Sequence, residues 1–226
     1  MCKGLPFRYV SANSLLFFSE KTSSDFRADV LTCGLYTQMT ASDKHSAFEE
    51  VAEWRHRYFQ ALTSFRCVIS YRANQTFSLE VGETIWSCLV SKLGTRVSSS
   101  MLEAAENTFR QLSPDTDPAA LTLLAEHAVH KLCDEPPTCE VVLQLGFSEA
   151  APVTTLVFLS FKSTLAVAGL PLAALLTEDN VPGAVNLSII SFELDGHDFG
   201  YFRERMIQKL GSKRDELIIK IAQVES

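Results

Sequence analysis

The run Val153 to Leu176 is the most apolar part of this 226-residue chain, and it constrains the fold more than any other segment. A membrane-crossing helix needs about 20 uninterrupted apolar residues. Here Lys162 sits near the middle and Pro171 breaks the second half. The first half is β-branched and aromatic, with Leu156 and Phe158 alternating against Val157 and Leu159. A strand that is apolar on both sides must be covered on both sides. The run therefore reads as a central strand over Val153 to Phe161, followed by a short Ala/Leu helix around residues 165–176. No membrane span is expected.

Strand neighbours flank it. Val141 to Phe147 precedes it across a turn at Gly146 to Pro152, and Val185 to Leu194 follows the turn Val181-Pro182-Gly183. The N-terminal forty residues also read as β-structure. Short apolar runs at 7–10 and 15–18 lead through the polar segment Glu20 to Asp25 into a third run, Phe26 to Met39. Cys67, Ile69 and Tyr71 alternate, as do Phe77, Leu79 and Val81, so a hairpin turning at Ala73-Asn74-Gln75 is expected.

Helices show a different period. Ser46-x-x-Glu49 has the form of a capping box before Phe48, Val51, Phe59 and Leu62 at helical spacing. A helical middle follows: a stripe from Ile85 to Leu93 ended by Gly94, a helix capped by Ser100-x-x-Glu103, and a third opened by Asp117-Pro118 and running to about Leu132. Asp134-Glu135-Pro136-Pro137 stops it. The order lacks βαβ alternation. It predicts an α+β fold of mainly antiparallel sheet, with a helical middle section and a long C-terminal helix. An N-terminal α+β region over 1–134 and a C-terminal β-β-(α)-β-α region over 138–226 are the expected units, unless the two form one continuous domain.

The net charge of -7 removes the general attraction to phosphate backbones, and nucleic acid is not an expected partner. Arg55-His56-Arg57 and Lys213-Arg214 have acids beside them and read as solvated helix faces. Three of the six cysteines, Cys33, Cys67 and Cys88, fall inside apolar periodic segments. They read as free buried thiols in a reducing compartment, which predicts a cytoplasmic protein. Residues 1–19 carry Lys3 and Arg8 but no acid, so mitochondrial import is the alternative.

His127-x-x-His130-x-x-Cys133 has zinc-ligand residue types. On one helix, however, His127 and Cys133 would each lie about 60° from His130 and on opposite sides of it. These three are the only metal candidates, and neither metal nor cofactor is expected. There is no G-x-S-x-G elbow and no phosphate-cradling glycine loop. Glu193, Asp195 and Asp198 gather beside His197, but an Asp at a helix start with acids in the first turn is ordinary capping.

Phe199, Phe202, Met206, Leu210, Leu217, Ile221 and Val224 fall near one line on a helix from 197 to 224, interrupted at Gly211-Ser212-Lys213. If the part beyond Gly211 projects, Leu217, Ile218, Ile221 and Val224 form a partner-binding surface. The stretch Leu187 to Leu217, with Phe192-Glu193-Leu194 leading into Phe199 and Phe202, resembles the end of COMM domains. That resemblance covers residues 139–224 and implies antiparallel strands closed by one long helix in an adaptor subunit. The family's first-strand tryptophan is absent here, 162–184 would be an insertion, and the N-terminal forty residues look β rather than helical. The sequence thus predicts a non-enzymatic subunit or adaptor of an intracellular multiprotein complex, with other protein subunits as partners. The alternative is an enzyme or small-molecule-binding domain whose site is assembled from scattered residues.

Overall fold

A computed structural model describes residues 6–132, 137–165 and 176–222. Its framework is one sheet ordered β3-β7-β6-β5-β2-β1-β8, with β4 also paired to β5. The strands are β1 (Phe7–Ser11), β2 (Ser14–Phe18), β3 (Val68–Phe77), β4 (Val129–Leu132), β5 (Thr138–Ala150), β6 (Val153–Ser163), β7 (Val185–Glu193) and β8 (Ile218–Lys220). The helices are α1 (Ser24–Ser42), α2 (Val51–Ser64), α3 (Ile85–Leu93), α4 (Ser99–Gln111), α5 (Pro118–Ala128), α6 (Gly196–Leu210) and the single turn α7 (Lys213–Leu217). Among the described strands only β2 and β5 run parallel; the other pairs are antiparallel. The fold is α+β.

β6 lies between β5 and β7 and is buried on both sides, as its two-sided apolar pattern requires. Leu156 and Phe158 pack into a core shared with Trp54, Tyr58 and Phe59 of α2, Val30 of α1 and Phe199 of α6. Val157 and Leu159 enter the opposite core, with Leu89 of α3, Phe109 of α4 and Leu124 of α5. The sheet is therefore sandwiched between two helical layers. β5 shares one edge between two partners: Thr138–Val141 pairs with β4, and Gln144–Ser148 with β2. At Gly146 an added Cβ would come within 2.9 Å of Leu16 Cδ2 and 3.0 Å of Leu156 Cδ2, so a larger residue would press two buried leucine side chains aside.

Four expectations are corrected. Residues 26–39 are helical rather than extended. The Ser23 hydroxyl caps α1 by accepting from the Phe26 amide at 3.2 Å, and the buried Phe26, Val30, Cys33 and Thr37 then recur at helical spacing. The apolar run Val30, Leu31, Leu35 and Tyr36 suited a strand locally, and burial of one helical face against the sheet decides for the helix. The hairpin at 67–81 is one long strand. Asn74 lies within β3 opposite Ser188, and Val81 is 92% exposed beyond its end. Ser46 caps a turn rather than α2, its hydroxyl accepting from the Glu49 amide at 3.1 Å. α5 ends at Ala128, and Val129 to Leu132 are drawn out as β4 by pairing with β5.

The long C-terminal helix is also absent. α6 ends where Gly211 adopts φ +53°, a left-handed conformation that glycine enters without strain. After α7 the chain becomes β8, with Ile219 opposite Val10 and the Ile221 amide donating to the Arg8 carbonyl at 2.9 Å. The consecutive Ile218 and Ile219 suit a pleated edge better than a helix surface. The short helix expected at 165–176 lies largely outside the described residues.

Candidate functional site: a polar cleft beneath helix α2

Where α2 begins, the apolar underlayer of the sheet gives way to polar residues. Register places Asn74, Ser188 and Phe158 side by side on β3, β7 and β6. One step on, Thr76, Asn186, Ser160 and Val142 line up across β3, β7, β6 and β5. Glu140 and Lys162 pair next, with His130 of β4 opposite Glu140. Since paired residues share a face, all of these lie on the side that α2 covers. The first turns of α2 roof the row, leaving a cleft of about 350 Å³ lined by Arg55, Asn74, Thr76, Glu140, Ser160 and Asn186, among others. That volume lies within the range of small-molecule sites, roughly 300–1,000 Å³.

Two of its lining carboxamides are oriented by neighbouring hydroxyls. The Ser188 hydroxyl donates to Asn74 Oδ1 at 2.7 Å, and the Thr76 hydroxyl donates to Asn186 Oδ1 at 3.0 Å. Both carboxamide oxygens are thus engaged. Among the described residues neither amide nitrogen has a protein acceptor. Arg55 lies at the margin of the buried stripe of α2, beside Trp54, and is half-buried. Burial pushes its guanidinium below its ordinary pKa, and the like charge of Arg72 pushes it further in the same direction. Among the described residues Arg55 has neither an ion pair nor a hydrogen bond. Arg72 packs over the Phe59 ring at 4.7 Å and likewise lacks an ion pair among them. The charge of Arg72 is thus felt at Arg55, and among the described residues neither guanidinium has a carboxylate partner.

The residues singled out from the sequence are placed elsewhere or only at the margin. His127 ends α5 in the opposite helical layer, and burial lowers its pKa against the pull of Glu126. His130 sits on β4, its ring 5.3 Å from that of Phe48. Cys133 lies outside the described residues, among which no three His, Cys, Asp or Glu side chains are placed to hold a metal ion. Asp195 caps α6, accepting from the His197 and Asp198 amides at 2.9 and 3.1 Å, while Asp198 pairs with Arg66 at 3.2 Å. Leu217 and Ile218 are half-buried, Ile221 is buried in the core, and Val224 is outside the described residues.

The cleft itself escaped sequence reasoning. One signal for it existed. Around Arg55 the helical neighbours at three and four residues are Val51, Ala52, Tyr58 and Phe59, and none of them can pair with its charge.

No protein-family model and no curated protein matches the chain. Solved structures similar to it in fold include a delta-endotoxin, at 11% identity and TM-score 0.49, with 81% of each chain covered. Another is the activated Cyt2Ba monomer from Bacillus thuringiensis subsp. israelensis, at 14% identity and TM-score 0.45, covering 82% of this chain and 99% of that one. Neither is described as an adaptor or an intracellular complex subunit. The expectation of such a subunit, with its cytoplasmic or mitochondrial location, is not matched by either likeness and is not carried further. Its one positive support is also gone, because the projecting terminal helix is an edge strand with Ile221 buried. At these identities the likeness concerns chain path alone, and no activity is carried over from it. Among the described residues no helix is long and apolar enough to cross a membrane.

Proposed function

We propose that the cleft beneath α2 binds a small ligand bearing an oxyanion, a carboxylate or phosphate group, with Arg55 as its principal electrostatic contact. The observation that carries this reading is the half-buried Arg55 guanidinium, held beside Arg72 without an internal acceptor. A half-buried cation without a partner has lost part of its hydration, and a bound anion offsets that loss. Asn74 and Asn186 offer amide donors whose orientation is set by Ser188 and Thr76. Guanidinium and amide donors together match an acceptor-rich group, and Arg presents paired donors to a planar or tetrahedral oxyanion. Glu140, on β5 at the other end of the row from Asn74 on β3, disfavours a ligand that is anionic throughout. It suits one with a hydroxyl or ammonium group away from the anionic end.

A thermal-shift comparison with acetate, citrate, sulfate and inorganic phosphate at constant ionic strength tests the reading. A carboxylate or phosphate should raise Tm in a saturable way, because a ligand bound only to the folded state stabilises it by mass action. An equal response to every salt, or none, would count against the site.

A further inference from the structure

Two buried thiols face each other in the helical layer that covers the cleft. Cys33, on α1, and Cys67, immediately before β3, have their sulfurs 4.0 Å apart. They are 1% and 4% exposed. The pairing follows from a sharp reversal at the end of α2. Arg66 adopts φ +64°, and the Cys67 amide donates back to the Leu62 carbonyl at 3.2 Å, which turns Cys67 inward toward α1. A disulfide requires sulfurs at about 2.05 Å, so closing the pair needs an approach of about 2 Å. The other two described thiols point elsewhere. Cys88 donates to Glu83 Oε2 at 3.2 Å, and Cys139 donates to the Leu165 carbonyl at 3.1 Å.

We propose that Cys33 and Cys67 are a disulfide-forming pair that staples α1 to the start of β3. In the presence of a small disulfide such as oxidised glutathione, one cysteine thiolate attacks a glutathione sulfur, forming a mixed disulfide and releasing one glutathione thiolate. The second cysteine then attacks the mixed disulfide at the protein sulfur and expels the second glutathione. The protein dithiol is oxidised to the disulfide, glutathione disulfide is reduced to two thiols, and the two cysteine protons end on them. Burial shields both sulfurs in the native state, so the exchange belongs to folding or to transient opening of α1. The bond closes a loop of 34 residues between helix layer and sheet edge. It thereby restricts the unfolded chain.

The test refolds the full chain from denaturant in reduced or oxidised glutathione, blocks free thiols by alkylation, and maps the digest by mass spectrometry without reduction. Oxidised samples should yield one joined peptide pair containing Cys33 and Cys67, with Cys88 and Cys139 alkylated. Their Tm should exceed that of the reduced protein by about 5–10 °C. Cys33→Ser and Cys67→Ser should each abolish the rise. Should either variant fail to fold, the peptide map of the unaltered chain decides. Recovery of Cys33 and Cys67 alkylated after oxidative refolding, or joined to Cys2, Cys133 or another cysteine, overturns the proposal.

Discussion

The Thr76 hydroxyl donates to Asn186 Oδ1 across the β3–β7 pair at 3.0 Å. This engages the carboxamide oxygen and leaves the amide nitrogen for the cleft. Asn186→Asp replaces that donor with a negative charge of nearly the same size. It is expected to abolish oxyanion binding while Tm stays within about 2 °C, as for most surface substitutions. Ligand titration alongside thermal unfolding of the variant checks both halves of the statement.

Arg203 of α6 grips Asp29 of α1 with two hydrogen bonds, Nε to Oδ1 and Nη2 to Oδ2, both at 2.6 Å. The Asp29 side chain is 5% exposed and that of Arg203 39%. The hydrogen bond to Asp29 is the main reason the Arg203 pKa rises. Removing the arginine leaves a buried carboxylate without its counter-charge. Arg203→Leu should cost about 2 kcal/mol in denaturant unfolding, less than for a fully buried pair because Arg203 is partly in water. Asp29→Asn should cost less than Arg203→Leu.

Gly146→Ala should destabilise the sheet by about 1–3 kcal/mol, because the new methyl meets Leu16 and Leu156 at 3.0 Å or less. Shortening the obstructing side chain in the double variant Gly146→Ala, Leu16→Val should recover part of the loss. Equal stability of wild type and Gly146→Ala in urea unfolding would contradict this packing.

Alkaline pH should weaken the fold in steps. The Cys33 thiol is raised well above its ordinary value of 9.0, first by its bond with Cys67 and then by burial. Burial raises Tyr58 well above 10.0, and burial with the Glu83 contact lifts Cys88 to about 11. Each folded-state value exceeds the unfolded one, so the unfolded chain releases these protons first. Stability contributed by holding the neutral forms is complete below pH 9 and falls as pH rises from there. Urea midpoints measured from pH 7 to pH 11 under reducing conditions should decline beyond pH 9, and the decline should be shallower in Tyr58→Phe.

Much of the fold was legible in the sequence because the strongest signals were two-sided burial and end chemistry. Leu156 to Leu159 could only be a covered strand, Asp117-Pro118 could only open a helix, and Gly94 and Gly211 both interrupt helices. The failures share one cause. Residues 26–39, Asn74, Val129 to Leu132 and Ile218 to Lys220 have local preferences close to balanced. Their states are set by tertiary partners: β5 for Val129 to Leu132, only 6 to 12 residues on, and β7, β1 and the helix-covered sheet, far away in sequence, for the others. The cleft was hidden for the same reason, since register on four strands, not spacing along any one of them, brings Arg55, Asn74, Asn186 and Glu140 together.

The central claim is tested most directly by ¹H–¹⁵N spectra of the full chain titrated with citrate and with inorganic phosphate at fixed ionic strength. The account predicts saturable shifts in the side-chain amides of Asn74 and Asn186 and in the backbone of α2 around Arg55 with at least one of the two. It also predicts at least a tenfold loss of affinity in Arg55→Met, the scale of one charge-assisted contact. Shifts confined to other surfaces, no saturation with either anion, or unchanged affinity in Arg55→Met would contradict it.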